Sequence, residues 1–177
     1  TISTTAIADL DDLTGTGNAY TITVGTAQVT AAALNTVNAA TTVNVTATAV
    51  TQITGSAAEL ATTYGGGITG LGNETIVLTD TTLAAATLTP TVNGYSSVAI
   101  NANSVTTLTG TNAEIVAAYA ADTAGTVIID GDAKLTVSDN ITSAEANTID
   151  AYTTGVVTAT ISTTAIADLD DLTGTGN

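Results

Sequence analysis

Residues 1–18, TISTTAIADLDDLTGTGN, recur letter for letter as residues 160–177, with Thr1 matching Thr160 and Asn18 matching Asn177. Chance does not produce such a match. The chain therefore reads as one whole period (1–159) and the start of the next identical one (160–177), a window on a longer tandem array. A fold that accepts its own copy at a fixed spacing is open-ended, and such repeats build solenoids, propellers or bead strings. The lack of Met fits a piece of a longer product.

The available side chains narrow the choice. Aromatic residues are 3% of the chain and all are Tyr, so the core must be thin and filled by Ala, Val, Leu and Ile. Few charges and many β-branched residues argue against disorder. The net charge is −15, with Lys134 as the single cation and no Arg or His. Binding phosphate needs cationic side chains, so nucleic acid is excluded and an anionic membrane surface disfavoured. No signal peptide is visible, and no apolar run approaches the roughly 20 residues of a membrane span. Without Cys there are no disulfides or thiolate sites, and without His the usual general bases are missing. The expected class is not an enzyme.

Six alternating apolar pairs suggest short strands: Ile22/Val24, Val43/Val45, Ile76/Leu78, Val98/Ile100, Leu135/Val137 and Ala159/Ile161. The recurrence of their second members predicts short coils of roughly equal length, with insertions in the two long intervals, Val45 to Leu78 and Ile100 to Val137. Odd coils share Val37, Val92 and Ile149 ahead of a Thr/Ser/Gly turn. Two even coils carry matched capping boxes, Ser56 with Glu59 and Thr111 with Glu114, predicting short inserted helices that end at Tyr64 and Tyr119. The deeper unit is a pair of coils, present three times per period. The expected fold is an α/β or mainly-β solenoid, right-handed, with stacked parallel strands, short helical returns and about six coils per repeat.

If the pairs stack in register, outward positions form two columns. One holds Thr23, Asn44, Val77, Ala99, Thr136 and Thr160; the other holds Gly25, Thr46, Thr79, Asn101, Ser138 and Ser162. Threonine is a good exposed strand residue, which accounts for them without a ligand. The functional alternatives are lateral docking, or ice binding on a flat threonine grid that Val77, Ala99 and Asn101 interrupt. Carboxylates gather at Asp9, Asp11 and Asp12, at Asp168, Asp170 and Asp171, and at Asp130 with Asp132. Solvated turn charge explains most of these. Asp130 and Asp132 are the best calcium candidates, though neither the calcium β-roll nonapeptide nor an EF-hand loop is present. No cofactor other than calcium is in view, and no catalytic residue is assigned. Tyr64 and Tyr119 are expected at the core edge, and Tyr20, Tyr95 and Tyr152 at turns.

The strings AVTQITGSAAELATTYGGGITGLGNETIVLTDTTLAAATL (49–88), SVTTLTGTNAEIVAAYAA (104–121) and NTIDAYTTGVV (147–157) resemble tandem repeats of very large secreted or cell-surface proteins of cyanobacteria and other marine bacteria. The resemblance implies an extracellular structural or adhesive array, exported by a type I system, and supplies no catalytic residues. The expected function is a structural module of a filament, sheath, surface layer or adhesive stalk, self-associating end to end or laterally. The alternatives are an adhesin module that takes glycan, ice or mineral on its Thr/Asn face, and a calcium-stabilised surface-layer unit.

Overall fold

The computed structural model describes residues 2, 4–162 and 165–173. In chain order its elements are α1 (Ile7–Leu10), β1 (Gln28–Thr30), α2 (Ala31–Ala39), β2 (Val45–Thr46), β3 (Gln52–Gly55), α3 (Ala57–Tyr64), β4 (Ile68–Thr69) and β5 (Thr75–Leu78). They continue as β6 (Thr82–Ala84), β7 (Ile100–Ala102), β8 (Thr107–Gly110), α4 (Asn112–Thr123), β9 (Val127–Ile129), β10 (Lys134–Ile141), α5 (Ser143–Asp150), β11 (Val157–Ile161) and α6 (Ile166–Leu169). An irregular helical stretch over Thr87–Thr91 and Val92–Gly94 carries the single proline, Pro90. The protein is α/β, with parallel sheets and helices between the strands. Among the described residues, no helix is long and apolar enough to cross a membrane.

The chain forms two compact units, Thr1–Thr79 with Gly94–Asn101, and Asp80–Asn93 with Ala102–Asn177. In the first, Gln28 pairs with Gln52, Gln52 with Thr75, and Val77 with Asn101, at nearly constant sequence steps. A second column runs Thr23, Thr46, Thr69, evenly spaced. In the second unit, Leu83, Leu108, Leu135 and Val157 stand in register at less even steps. Each strand therefore pairs with the strand one strand–helix segment earlier, and parallel strands need such a crossover to meet.

This register corrects the strand pairs read from the sequence. Val45/Ala47 and Ile100/Ala102 point into the core and are fully buried, while Val43 and Val98 are 40% and 38% exposed. The cause is a turn that alternation alone does not reveal. The Val43 N–H donates to Thr41 Oγ1 at 3.1 Å and the Val98 N–H to Ser96 Oγ at 3.1 Å, so both valines belong to hydroxyl-closed turns and their strands start later. The two long intervals are not insertions. Val45 and Ile76 belong to different columns, because β2 pairs with β4 and β5 pairs with β3. Likewise Ile100 lies in β7, beside β5, whereas Leu135 lies in β10, beside β8.

The helices also exceed the expectation. Both predicted capping boxes form: the Ser56 N–H donates to Glu59 Oε2 and the Thr111 N–H to Glu114 Oε2, each at 2.8 Å. A third box, Thr142 with Glu145, opens α5, and Thr30 caps α2, so helices occupy the odd segments as well. Gly55 and Gly110 precede the two predicted boxes for a steric reason. A Cβ on Gly55 would stand 2.7 Å from Ala31 Cβ, and one on Gly110 3.3 Å from Ala85 Cβ. Leu34, Val37, Leu60, Leu88, Val92, Ile115 and Ile149 turn the helical faces inward and are fully buried.

Candidate functional site

Hydroxyl groups carry a recurring arrangement among the described residues. Thr41 Oγ1 donates to Tyr20 O at 2.8 Å, Ser96 Oγ to Glu74 O at 2.7 Å, and Thr153 Oγ1 to Ala133 O at 2.6 Å. Each of these oxygens also accepts the N–H two residues on, from Val43, Val98 and Gly155. The next residue's N–H then donates to the carbonyl two positions before the first acceptor: Thr42 to Asn18, Ser97 to Gly72 and Thr154 to Gly131, at 2.8, 2.8 and 2.9 Å. One clamp therefore occurs three times, at almost even spacing along the chain. It follows soon after the shared Val37, Val92 and Ile149.

Other threonines do the same singly. Thr51 Oγ1 donates to Ala27 O, Thr69 to Val45 O and Thr106 to Thr81 O, at 3.2, 3.2 and 3.1 Å. Asparagines hook forward from the helices. Asn35 Nδ2 donates to Glu59 O and its Oδ1 accepts from Thr63 Oγ1, both at 2.9 Å. Its counterpart Asn147 donates to Asp171 O at 2.8 Å and accepts the Thr173 N–H at 3.0 Å. A neutral hydrogen bond contributes only about 1 kcal/mol, but most of these tie a side chain to the backbone of a neighbouring segment.

The outward columns are rearranged accordingly. Thr23 stands beside Thr46, with Asn44 outside the column, and Val77 stands beside Asn101, so Ala99 falls out of it. Thr136 pairs with Thr158, and Thr160 pairs with Asn140 after a register shift in β10. The true ladders are Thr23–Thr46–Thr69 and Ala84–Thr109–Thr136–Thr158. Of the second column, Gly25, Thr79, Ser138 and Ser162 are exposed or half-exposed, with Ser162 Oγ tied back to Ile141 O at 3.1 Å.

Four of the five tyrosines pair up, which their spacing did not reveal. Tyr64 stacks on Tyr95 with centroids 4.5 Å apart, and Tyr119 on Tyr152 at 4.8 Å, both nearly parallel. The Tyr64 hydroxyl donates to Glu74 Oε1. Glu74 is fully buried, and its Oε2 accepts the Gly72 and Asn73 N–H groups at 2.8 and 3.0 Å. Burial, followed by the bond to Glu74, drives the Tyr64 hydroxyl far above its usual range. Burial and the charge of Asp122 push Tyr119 up to about 12, with the neighbouring Thr153 offsetting a part.

Asp130 and Asp132 sit in the turn between β9 and β10, half-buried and exposed respectively, with Lys134 exposed at the start of β10. Among the described residues, no three acidic side chains converge on one point. Asp9 accepts from Thr4 Oγ1 at 2.8 Å within its own segment. An open groove of mixed character in the first unit is lined by Ile7, Ala8, Asp11, Gln28, Val29, Thr30, Ala33, Gln52 and Thr54, with no tyrosine. The chain matches no protein-family model, no curated protein and no solved structure.

Proposed function

We propose that this chain is a structural tandem-repeat module of a long extracellular fibrous protein, a filament, sheath, surface layer or adhesive stalk. Its strand–helix segments are the coils of a right-handed α/β solenoid. The observation that carries this is the clamp at Thr41, Ser96 and Thr153, set three times and each time tied one segment back. Such bonds stitch neighbours together and converge on no ligand. Parallel strands joined through helices cross over right-handed in about 98% of cases, which supports the handedness. A core of small residues needs little beyond the neighbouring segment to cover it, as in one-dimensional repeat stacks. The location rests on the resemblance to giant secreted repeats and on the single Lys134, which leaves trypsin-like proteases one target. Lateral or end-to-end self-association is the partner this reading implies.

The groove lined by Gln28, Gln52, Thr30, Thr54 and Asp11 favours a second reading, an adhesin module that takes a glycan through amide and hydroxyl contacts. Electron microscopy of the concentrated chain, run beside a glycan array, separates the two. Ordered end-to-end assemblies without glycan binding support the structural module. A monodisperse chain that captures a glycan replaces it with the adhesin. For the calcium-stabilised alternative, a melting temperature lowered by chelator would move the assignment to a surface-layer unit.

A further inference from the structure

An oxidant that meets this chain finds only tyrosine. Cys, Met, Trp and His, the other readily oxidised side chains, are all absent, and the five aromatic residues are all Tyr. Stacking alone does not call for a hydroxyl, since Phe presents the same ring. Every aromatic position keeps it nonetheless, even Tyr119, whose buried oxygen makes no hydrogen bond of normal geometry among the described residues.

In the first unit, Tyr64 ends α3 and Tyr95 lies in the turn ahead of β7. Their rings are parallel to within 2°, with centroids 4.5 Å apart, and both side chains are half-buried. Carbons of one ring are therefore in van der Waals contact with carbons of the other. The Tyr64 hydroxyl donates to Glu74 Oε1, while the Gly72 and Asn73 N–H groups hold Glu74 Oε2, so the carboxylate is fixed against the phenol. A phenol that loses an electron becomes a strong acid, and this carboxylate is placed to take its proton. The backbone leaves the rings room to turn. Gly65, Gly66 and Gly67 follow Tyr64, Gly94 precedes Tyr95, and a Cβ on Gly66 or Gly94 would meet nothing within 4 Å. The second pair differs on each count. Tyr119 sits inside α4, which continues to Thr123, is 4% exposed, and has no carboxylate bonded to its hydroxyl among the described residues.

We propose that Tyr64 and Tyr95 are a cross-linking site, joined as dityrosine by hydrogen peroxide and a one-electron oxidant of the peroxidase class, with Glu74 accepting the Tyr64 proton. Tyr64 gives an electron to the oxidant and its phenolic proton to Glu74. Tyr95 gives an electron to the oxidant and its proton to water. The two unpaired electrons form one bond between ring carbons ortho to the hydroxyls. Each of those carbons then loses its hydrogen as a proton while its oxygen regains one, and Glu74 returns its proton to solvent. The sum is two electrons and two protons removed, which convert one hydrogen peroxide into two waters. The link ties the end of α3 to the turn before β7 and closes a loop that restricts the unfolded chain. It stands apart from the repeat-module reading, because it needs the first unit alone.

The test treats the full chain, kept dilute, with a haem peroxidase and hydrogen peroxide. Dityrosine is followed by its blue fluorescence, and the linked peptides are identified by mass spectrometry after cleavage at acidic residues. The expected product is an intrachain link between Tyr64 and Tyr95, with a raised melting midpoint. Tyr64→Phe and Tyr95→Phe are each expected to abolish that link, whereas Tyr119→Phe leaves it in place. Glu74→Gln is expected to slow it by about a hundredfold, the lower end for a positioned proton acceptor. If that variant loses its circular dichroism, the unmodified chain decides instead, through a slowing in deuterium oxide larger than that of free tyrosine under the same oxidant. In urea the five tyrosines pair without preference, and the excess of the Tyr64–Tyr95 link should vanish. A folded chain that joins Tyr119 to Tyr152 as readily, that links only between copies, or that forms no dityrosine while the unfolded chain does, overturns the site. An undiminished rate in folded Glu74→Gln, or no excess slowing in deuterium oxide, overturns the part given to Glu74.

Discussion

Replacing Tyr64 with Phe removes one oxygen atom and leaves a buried carboxylate short of a donor. Glu74 is fully buried, with one oxygen held by the Gly72 and Asn73 N–H groups and the other by the Tyr64 hydroxyl. The ring stack on Tyr95 survives the change, so the loss is the hydrogen bond alone. A bond to a charged group contributes about 1.5–3 kcal/mol, and a buried carboxylate oxygen left unpaired lies at the upper end. For a chain of this length, each kcal/mol lowers the midpoint by about 2–4 °C, so a drop of roughly 3–12 °C is expected in the melting midpoint. Tyr119→Phe is the matched control. It occupies the matching helix, keeps its stack on Tyr152, and loses a buried hydroxyl that makes no hydrogen bond of normal geometry among the described residues. Its midpoint should move little or rise. Thermal melts followed by circular dichroism, with urea titrations to check the slope, give both numbers. Equal shifts for the two variants, or no shift for Tyr64→Phe, would refute the idea that Tyr64 secures Glu74.

Both hydroxyls also predict alkaline softening. A folded-state pKa raised above the unfolded value of 10.0 gives stability that is complete below pH 10 and lost as pH rises, for Tyr119 through about 12. Two pH units correspond to about 2.7 kcal/mol as an upper bound, so midpoints should fall between pH 10 and 12, and less steeply in Tyr119→Phe. Thr153→Val keeps the shape but leaves Ala133 O and the Gly155 N–H unpaired, at a cost of about 1–3 kcal/mol by urea unfolding. Gly55→Ala sets a methyl 2.7 Å from Ala31 Cβ and should destabilise by about 1–3 kcal/mol, although Ala is the better former of regular structure elsewhere. Thr142→Ala should loosen α5 by about 1 kcal/mol, read as faster amide exchange over 143–150. Glu145, held below its usual range chiefly by the Thr142 N–H, gives stability present above the unfolded value of 4.5 and lost below it, and Thr142→Ala should weaken that acid dependence.

What could be read from the sequence was what local chemistry encodes. The capping boxes at Ser56 and Thr111 were legible because both partners lie within one helical turn. The box at Thr142 has the same letters, but Ile149 behind it reads as a turn marker shared with Val37, which hides the helix. Paired apolar residues found strands where both members are large, as at Ile76/Leu78 and Leu135/Val137. They failed at Val45/Ala47 and Ile100/Ala102, where the inward partner is an alanine and the larger valine beside it lies in a turn. A threonine that closes a turn and ties it to a carbonyl one segment earlier has no local signature that separates it from a surface threonine. For that reason the clamps, the tyrosine stacks and the Asn35 and Asn147 hooks all required the fold.

The clamps bear on how such a gene can change. Each joins a segment to its immediate predecessor, and Thr41, Ser96 and Thr153 present the same acceptor spacing to whatever lies before them. Unequal crossing-over between two clamp sites therefore adds or removes whole segments while every junction finds a familiar neighbour. A crossover inside a segment leaves carbonyls without donors and is purged. In the proposed array, length would then be a trait that recombination adjusts in steps, one clamped segment at a time.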